Sequence, residues 1–408
     1  MQLRRRSWLG IGAVFILASS LAACSSGGGG QGGGSSGPYV IGVNEDLSGV
    51  LGFQGTPDLA GIRTYIDYVN AHGGVNGKQI KLIALDNASD PATAASEYTQ
   101  LQNDHALAVL GFVNSATLVG VEPVAKAVSA ADRPVLFSLG GPTNLLYPAS
   151  ELNFSYGLLQ QDEADEMVSV LHELAAQKHI TNARIAILAA DAASTSDFIA
   201  QVKSSVSHYS GWKVVDTQLM PIAVTDVTAQ ALSIAQSKPD FVVMLHNDSG
   251  AAVAVPGLRR AGVTVPIVNA HVPPTSFTKL DDANYYGVDG YADPLMTNIP
   301  AVRNMNSRAK AYGQSKNDVG EYFTSGYVAG IAVQKALEAC GKNCTPPQFS
   351  KALESLHSLN DGGLSGPAGF SASDHELLSY GLVFRYDTTT KQVVPVRPDI
   401  KTQVVYAK

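Results

Sequence analysis

Few residues of this sequence stand at the spacings that catalysis or metal binding requires. The segment GGVNGK from Gly73 resembles a phosphate-binding loop, but its glycines are one residue too close and Gln79 replaces the magnesium-binding hydroxyl residue. His172 begins the pair HE of a zinc-binding helix, but Ala176 stands where the second histidine belongs. The segment GGLSG around Ser365 lacks the second glycine of a nucleophile elbow. We therefore expect no enzyme, no bound metal and no cofactor, and a hydrolase is the least favoured function.

Polar residues cluster instead in six loops, each of which follows an apolar run. These loops are rich in Ser, Thr, Asn and Gly, which suits hydrogen bonding to a small polar ligand. The alternative is that most of these side chains only cap helices. The loops are residues 44–57, 112–117, 138–144, 191–196, 246–250 and 271–276.

The elements that position these loops can be predicted from the hydrophobic pattern. Short apolar runs, such as YVIGV from Tyr39 and FVVML from Phe241, alternate with amphipathic stretches of helical spacing. Such alternation implies parallel strands joined by right-handed crossovers, with ligands bound beyond their carboxyl ends. The strands after residue 160 are too many for one sheet, so we expect an α/β protein with two doubly wound parallel-sheet lobes. Past Pro300 the chain turns mainly helical and ends in polar strands interrupted by proline.

The composition and net charge of the chain indicate which classes of partner are unfavourable. The chain has 408 residues, 45% hydrophobic and 15% charged, which is typical of compact globular proteins. Its formal net charge is −7 at pH 7, and loss of the N-terminal segment, with three arginines and no acid, would make it more negative. Nucleic acid is therefore an unfavourable partner.

The N-terminus reads as an export signal. Arg4, Arg5 and Arg6 precede an apolar run too short to span a bilayer, and LAA leads into Cys24, as in a bacterial lipobox. We expect a signal peptide over residues 1–23 and lipidation of Cys24; an ordinary cleavage site and either export route remain open. The Gly- and Ser-rich segment that follows, to residue 37, predicts a flexible tether. The protein would thus be held at the outer face of the cell membrane by its lipid alone.

Cys340 and Cys344 are the other two cysteines. Four residues apart at the end of a predicted helix, and outside the cytoplasm, they favour a local disulfide. Two free buried thiols are the alternative.

Several segments, in this order along the chain, are similar to those of one family. They are IGVNEDLSG from Ile41, AHGGVNGKQIKL from Ala71, GFVNSAT from Gly111, LRRAGVTVPIV from Leu258 and YFTSGYVAGIAVQKALEACG from Tyr322. Together they resemble the branched-chain amino acid (Leu/Ile/Val-binding) type of substrate-binding proteins that serve ABC importers. The resemblance covers essentially the whole chain after the tether.

The resemblance implies a type I periplasmic-binding-protein-like fold with a three-segment hinge and a ligand cleft between the lobes. Lobe one would be residues 38–158 plus 293–368, and lobe two 159–292 plus 369–408. A monomer would close on a small solute and deliver it to the permease and ATPase subunits of the importer. A sensory or regulatory ligand-binding module is the alternative function.

The resemblance also implies a set of ligand-binding residues in the predicted loops. Ser115 has a physical reason to bind a carboxylate, because it opens a helix after a strand and lies beside free backbone amides. The full set is Phe53, Gln54, Asn114, Ser115, Ser138, Gly140, Gly141, Asn247 and His271.

Two departures from the family concern the ligand. Ala192 and Ala193 replace an aromatic residue of the pocket, and His271 stands where an acid usually pairs with the ligand's ammonium. His246 would add a second imidazole if the strands 241–245 and 266–270 are adjacent. We therefore expect a carboxylate or amide without an α-ammonium; a branched-chain amino acid, paired with Asp248, is the alternative.

Overall fold

The computed structural model describes most of the chain after the tether. The described residues are 37–192, 195–270, 277, 280–314, 319, 322–378, 381–390 and 392–397. The predicted signal peptide, Cys24 and most of the tether lie outside them, as do Ala193 and His271.

The first sheet has five strands, all parallel, in the order β2-β1-β3-β4-β5. The interior strand β1 carries Ile41 and Val43, both fully buried, and contacts the helices on both faces of the sheet. Such burial is what a near-continuous apolar run in a parallel sheet requires. The strands are β1 Tyr39–Glu45, β2 Ile80–Asp86, β3 Ala108–Gly111, β4 Val135–Ser138 and β5 Asn153–Ser155.

The helices of the first sheet follow its strands in turn. In the longest of them Ile62, Ile66 and Val69 face the core, as their helical spacing predicts. The turn after this helix needs Gly74, which has φ +72° and whose added Cβ would lie 2.0 Å from the carbonyl oxygen of Lys78. The helices are α1 Gly52–Ala71, α2 Pro91–Asn103, α3 Ser115–Ala127 and α4 Thr143–Leu146.

The second sheet has seven strands in the order β12-β11-β10-β9-β8-β6-β7. The neighbouring strands β10, β9, β8, β6 and β7 are parallel to one another. The strand β11 pairs antiparallel with both β10 and β12. The strands are β6 Arg184–Ala190, β7 Lys213–Met220, β8 Phe241–Leu245, β9 Ile267–Ala270, β10 Tyr285–Asp289, β11 Leu382–Asp387 and β12 Gln392–Arg397. The helices among them are α5 Gln160–Gln177, α6 Thr195–Ser207, α7 Thr228–Ser237 and α8 Asp248–Arg260.

After β10 the chain returns to the first sheet as three helices, α9 Pro300–Ala311, α10 Phe323–Cys340 and α11 Pro346–Glu354. Helix α10 packs on α1 through glycines: an added Cβ at Gly326 would lie 1.9 Å from the carbonyl oxygen of Asp58. A disulfide joins Cys340 at the end of α10 to Cys344. The chain then re-enters the second sheet as β11, so it passes between the two sheets three times. In the described part of the chain, no helix has the length and apolarity needed to cross a membrane.

The predicted fold class is confirmed: the protein is α/β with two parallel-sheet lobes. One difference is the antiparallel pair β11 and β12, which completes an otherwise parallel second sheet. These strands are joined by a short turn at Asp387, whose carboxylate accepts from the backbone amides of Thr389 and Thr390. So short a connection forces antiparallel pairing, since parallel strands need a crossover of a dozen or more residues.

Candidate binding site

The carboxyl ends of both sheets face one cleft with a volume of about 450 Å³. The first sheet contributes the loops after β1, β3 and β4, and the second sheet those after β6 and β8. The N-termini of α5 and α10 complete the lining. The lining residues that carry the argument below are Leu51, Gln54, Asn114, Ser115, Leu139, Gly140, Gly141, Leu158, Leu159, Asp191, Asp197, His246, Asn247 and Tyr322.

The start of α3 presents a hydroxyl and an amide to this cleft. Asn114 is the N-cap, and its Oδ1 accepts from the backbone N–H of Ala116 at 3.0 Å, so its Nδ2 remains for a ligand. Ser115 is the first helical residue, and within the described residues its hydroxyl forms no hydrogen bond. The positive end of the helix dipole adds to the attraction for an anionic or carbonyl group.

Neighbouring loops of the first sheet add further donors. Nε2 of Gln54 donates to the hydroxyl of Tyr322 at 2.8 Å, which ties α1 to the start of α10 across the edge of the cleft. The backbone amides of Gly140 and Gly141 donate to no acceptor within the described part of the chain. A Cβ at Gly140 would meet nothing within 4 Å, so space for a ligand adjoins the backbone there.

Two predicted ligand residues of the first sheet do not line the cleft as the structure describes it. Ser138 is buried in β4, where its hydroxyl donates to the carbonyl oxygen of Phe154 at 3.3 Å. Phe53 lies in the first turn of α1 with 49% of its surface exposed, outside the lining. Gln54, the next residue, turns into the cleft. The direction of the side chain explains both cases. Successive side chains of β4 point to opposite faces of the sheet, and each side chain of α1 is rotated by about 100° from the one before it.

On the second-sheet side of the cleft, the ring nitrogens of His246 face oxygens of the protein. Strands β8 and β9 are adjacent, with Leu245 opposite Ala270, as the two-imidazole prediction required. The ring of His246 is buried, however, and its Nδ1 lies 3.0 Å from Oδ1 of Asn247 and its Nε2 3.1 Å from the carbonyl oxygen of Pro221. Each ring nitrogen therefore faces an oxygen of the protein, and His246 supports Asn247 at the edge of the cleft that it also helps to line.

Asn247 begins α8 as its N-cap. Its Oδ1 accepts from the backbone N–H of Gly250 at 3.0 Å and from the hydroxyl of Ser249 at 2.8 Å. The oxygen is thus occupied, and the amide nitrogen is the group left to face the cleft. His271, the remaining predicted ligand residue, lies outside the described residues.

Sequence reasoning missed the two carboxylates of the cleft. Asp191 follows β6 and Asp197 stands in the first turn of α6; both are exposed to water. They are the two carboxylates among the described lining residues, which include no lysine or arginine. The signal that could have found Asp191 is its place directly after a buried strand, at the start of a predicted ligand loop.

The rest of the lining is mostly apolar. Leu51, Leu139, Leu158 and Leu159 come from four different segments and surround the polar groups. Helices α1, α3, α5, α6 and α8 follow parallel strands and begin at the cleft, and α10, which follows α9 in the chain, begins there as well. The positive ends of these helices point at the contents of the cleft. The site therefore suits an amphipathic solute with a partly negative polar head.

The described residues offer little to catalysis. They contain no group of three or more His, Cys, Asp and Glu side chains that could hold a metal ion. The hydroxyl of Ser365 lies 2.6 Å from Oδ2 of Asp361 and 2.8 Å from the carbonyl oxygen of Gly366, so among the described residues it bonds to these two oxygens and to no imidazole.

Comparison with solved structures finds the same fold in other proteins. The fatty acid ABC transporter substrate-binding protein from Thermomonospora curvata is 21% identical, with a TM-score of 0.77 over 92% of this chain and 95% of that one. A solute-binding protein from R. palustris, solved in complex with 4-hydroxybenzoate, is 16% identical, with a TM-score of 0.72 over 90% of this chain and 98% of that one. At these identities the likeness concerns the fold.

Comparison with curated proteins gives a shorter match. Leu/Ile/Val-binding protein homolog 2 of Brucella abortus (strain 2308) is 28% identical over 129 residues, or 32% of this chain. The match spans only 33% of that relative's length.

A family model matches a much longer part of the chain than the curated relative does. The model of a family described as periplasmic binding protein matches residues 38–391. This confirms the family resemblance inferred from the ordered segments. Because the matched region includes the whole first sheet, every strand of the second sheet except β12 and most of the chain, the protein belongs to the periplasmic binding protein family.

Proposed function

We propose that the protein is the extracytoplasmic solute-binding component of an ABC importer. The observation that carries this proposal is the single cleft lined by the carboxyl-end loops of both sheets. Family membership and the names of the similar proteins support it. The solute would be captured and released unchanged, and the permease and ATPase subunits would be the partners of a monomer. A lipid on Cys24 and the tether to residue 37 would keep the binding lobes near the membrane.

Closure of the lobes is the proposed capture step. Lobe one would be residues 38–158 plus 293–368, and lobe two 159–292 plus 369–408. A solute that contacts Ser115 on one side and Asn247 on the other is fully satisfied only when the two sides approach. The three passes of the chain between the sheets would act as the hinge.

The proposed solute is a carboxylate or amide with an apolar body and no α-ammonium. Ser115, the free amides of Gly140 and Gly141, and the start of α3 would hold its polar head. The surrounding leucines would cover its body. Fatty acids, 4-hydroxybenzoate and Leu/Ile/Val, which appear in the names of the similar proteins, all combine a polar head with an apolar part.

A branched-chain amino acid is the second candidate, and Asp191 and Asp197 favour it. Either carboxylate could pair with an ammonium from the second-sheet side. Their exposure to water argues for the first candidate, because an ammonium enclosed in a cleft needs a firmly held partner. The two candidate solutes differ in one chemical group, the α-ammonium.

Calorimetry and thermal unfolding with matched ligands test this proposal on purified residues 38–408. Leucine and 4-methylpentanoate differ only in the α-ammonium; benzoate, 3-phenylpropanoate and their amides extend the series. We expect 4-methylpentanoate or an aromatic acid to bind more tightly than leucine, and to add about 2.7 kcal/mol of stability at ~100 times its Kd.

Two variants assign the contacts. Ser115→Ala should weaken binding of the acid about tenfold, the loss of a hydrogen bond to a charged group. The control Ser129→Ala removes an exposed hydroxyl bonded to Asp132 and should change nothing. Tight binding of leucine alone, lost in Asp191→Asn and kept in Ser115→Ala, would overturn the proposed solute class.

A further inference from the structure

Glu45 is a buried acid directly beneath the cleft. It ends β1 and is fully buried. Its Oε1 accepts from the backbone N–H of Asp46 and from that of Val113, each at 3.1 Å. The two amides belong to different segments, the loop after β1 and the loop after β3.

These two segments form the first-sheet half of the cleft. The loop after β1 and the start of α1 present Leu51 and Gln54, and the loop after β3 presents Val113, Asn114 and Ser115. One oxygen atom of Glu45 therefore joins the backbones of both ligand loops. A shift of this carboxyl would move the donors at the start of α3 relative to Gln54.

The backbone that brings Val113 to Glu45 is strained. Gly111 has φ +108° and Phe112 has φ +60°, so two successive residues lie in the left-handed region. For a residue with a side chain this costs about 1–2 kcal/mol, and such a conformation persists only where its surroundings hold it. The room for the carboxyl depends on Gly111, because a Cβ there would lie 2.5 Å from Oε2 of Glu45.

The surroundings of Glu45 disfavour a negative charge. Oε2 has no hydrogen-bond partner among the described residues. Three titratable groups interact electrostatically with Glu45: Asp46 in its own loop, Asp58 on α1 and Tyr156 after β5. The end of β3 contributes only the backbone of Gly111. Burial, then repulsion from Asp58, raises the pKa of Glu45 well above its usual range, and the two backbone amides oppose this only in part.

We propose that Glu45 is a positioning residue that holds the two ligand loops of the first sheet in register. Its importance for affinity rests on the proposed binding function, but its effect on the loops does not. The geometry thus predicts a local effect that can be measured without any ligand.

Hydrogen–deuterium exchange of the ligand-free protein tests the proposal. In Glu45→Ala, exchange in residues 46–55 and 112–118 should rise about tenfold, as expected for the loss of one to two ordinary hydrogen bonds. The isosteric and neutral Glu45→Gln should restore protection. Val43→Ala, which opens a cavity in the same buried strand, is the matched control and should leave these two segments protected.

A pH profile separates positioning from simple packing. Between pH 6 and pH 9.5, exchange corrected for intrinsic rates should increase in both segments of the wild type, because ionisation would place an uncompensated charge there. In Glu45→Gln the increase should be clearly smaller, because only the titration of other buried acids such as Asp58 remains. This comparison also decides the matter if Glu45→Ala does not fold.

The opposite results would overturn the proposal. These are unchanged exchange in Glu45→Ala, equal deprotection in Val43→Ala, or the same pH profile in wild type and Glu45→Gln. Binding of 4-methylpentanoate is then measured for each variant, with a Kd about tenfold higher expected for Glu45→Ala. If the wild type binds no probe while the exchange results stand, the proposed solute class fails and the role of Glu45 does not.

Discussion

At the scale of single residues, the second-sheet side of the cleft depends on the contact between His246 and Gly250. A Cβ at Gly250 would lie 1.9 Å from Nδ1 of His246 and 2.2 Å from its Cε1. The ring uses this space while its nitrogens face oxygens of Asn247 and Pro221. Gly250 therefore allows the first turn of α8 to hold Asn247 at the cleft.

Gly250→Ala should destabilise the protein for this reason. The added methyl group forces the buried ring away from both oxygens, and we expect a loss of about 1–3 kcal/mol in the free energy of unfolding, the usual cost of overpacking. Urea denaturation measures it. In a His246→Ala background the same change should cost less than about 0.5 kcal/mol, because the clash is gone. An equal loss in both backgrounds would show that the ring is not the cause.

The same residues show what a sequence can reveal about a site. The loops that contain Ser115 and Gln54 could be predicted because loops after parallel strands point to the cleft, whereas the choice of these two residues came from the family resemblance. His246 satisfies that rule too, yet its ring turns inward because Gly250 leaves room. Phe53 and Gln54 are neighbours with opposite directions on α1. Position follows from topology, whereas side-chain direction depends on packing that residue types alone do not specify.

At the scale of elements, the start of α3 combines two roles. Asn114 caps the helix through Oδ1, and the helix end with Ser115 faces the cleft. Aspartate caps a helix as well as asparagine does, but it brings a full negative charge. Helix capping and ligand recognition can therefore be separated by one substitution.

Asn114→Asp should leave stability nearly unchanged and weaken binding of an acid. We expect the Kd for 4-methylpentanoate to rise at least about tenfold, since a like charge would stand beside the carboxylate at about 4 Å. The corresponding neutral amide should lose much less. Thermal unfolding checks the cap, and calorimetry with both ligands checks recognition.

The cap itself has a control in Asn114→Ala, which should lower the free energy of unfolding by about 1 kcal/mol. An unchanged affinity for the acid in Asn114→Asp would place the polar head of the ligand elsewhere in the cleft.

Most elements could be predicted from apolar runs and helical spacing, whereas β5 and α4 leave no such signal in the sequence. The spacing of Ile62, Ile66 and Val69 predicts α1, and the apolar run at Phe241 predicts β8. The strand β5 has three residues and the helix α4 has four, too few for any periodicity to appear. Both depend on tertiary contacts, such as the hydrogen bond from Asn153 to the carbonyl oxygen of Leu145.

At the scale of the whole molecule, buried acids lie near all three passes between the sheets. Asp58 on α1 accepts from the hydroxyl of Tyr156 just after β5, Asp293 follows β10, and Glu376 precedes β11. Burial is the largest cause that raises the pKa of each carboxyl, to about 7 for Asp58, about 7 for Asp293 and about 10 for Glu376. For Glu376 the neighbouring Asp162 adds to the effect.

Raised carboxyl pKa values make the folded state bind protons that the unfolded chain releases near pH 4. The stability from these protons is complete below that pH and is lost as the pH rises through each folded pKa. Each group contributes a fall of up to about 1.4 kcal/mol per pH unit in its window. His375 opposes this trend, because burial lowers its pKa. The half-buried Asp86 has a pKa lowered chiefly by its hydrogen bond from Ser48 and by backbone amides, so the stability that it contributes is lost only in stronger acid.

The protein should therefore be more stable at pH 5 than at pH 8, the reverse of a protein that depends on carboxylate salt bridges. Thermal unfolding across this range in a constant ionic strength measures the effect. Glu376→Gln and Asp293→Asn keep the shape of each side chain without its titration, so each should flatten the profile between pH 5 and pH 8. Glu151→Gln, which alters an exposed carboxylate 3.6 Å from Lys351, is the control and should leave the slope as in the wild type. A melting temperature that rises steadily from pH 5 to pH 8 would mean that these acids ionise in the folded state without penalty, and that the passes are far better hydrated than their burial indicates.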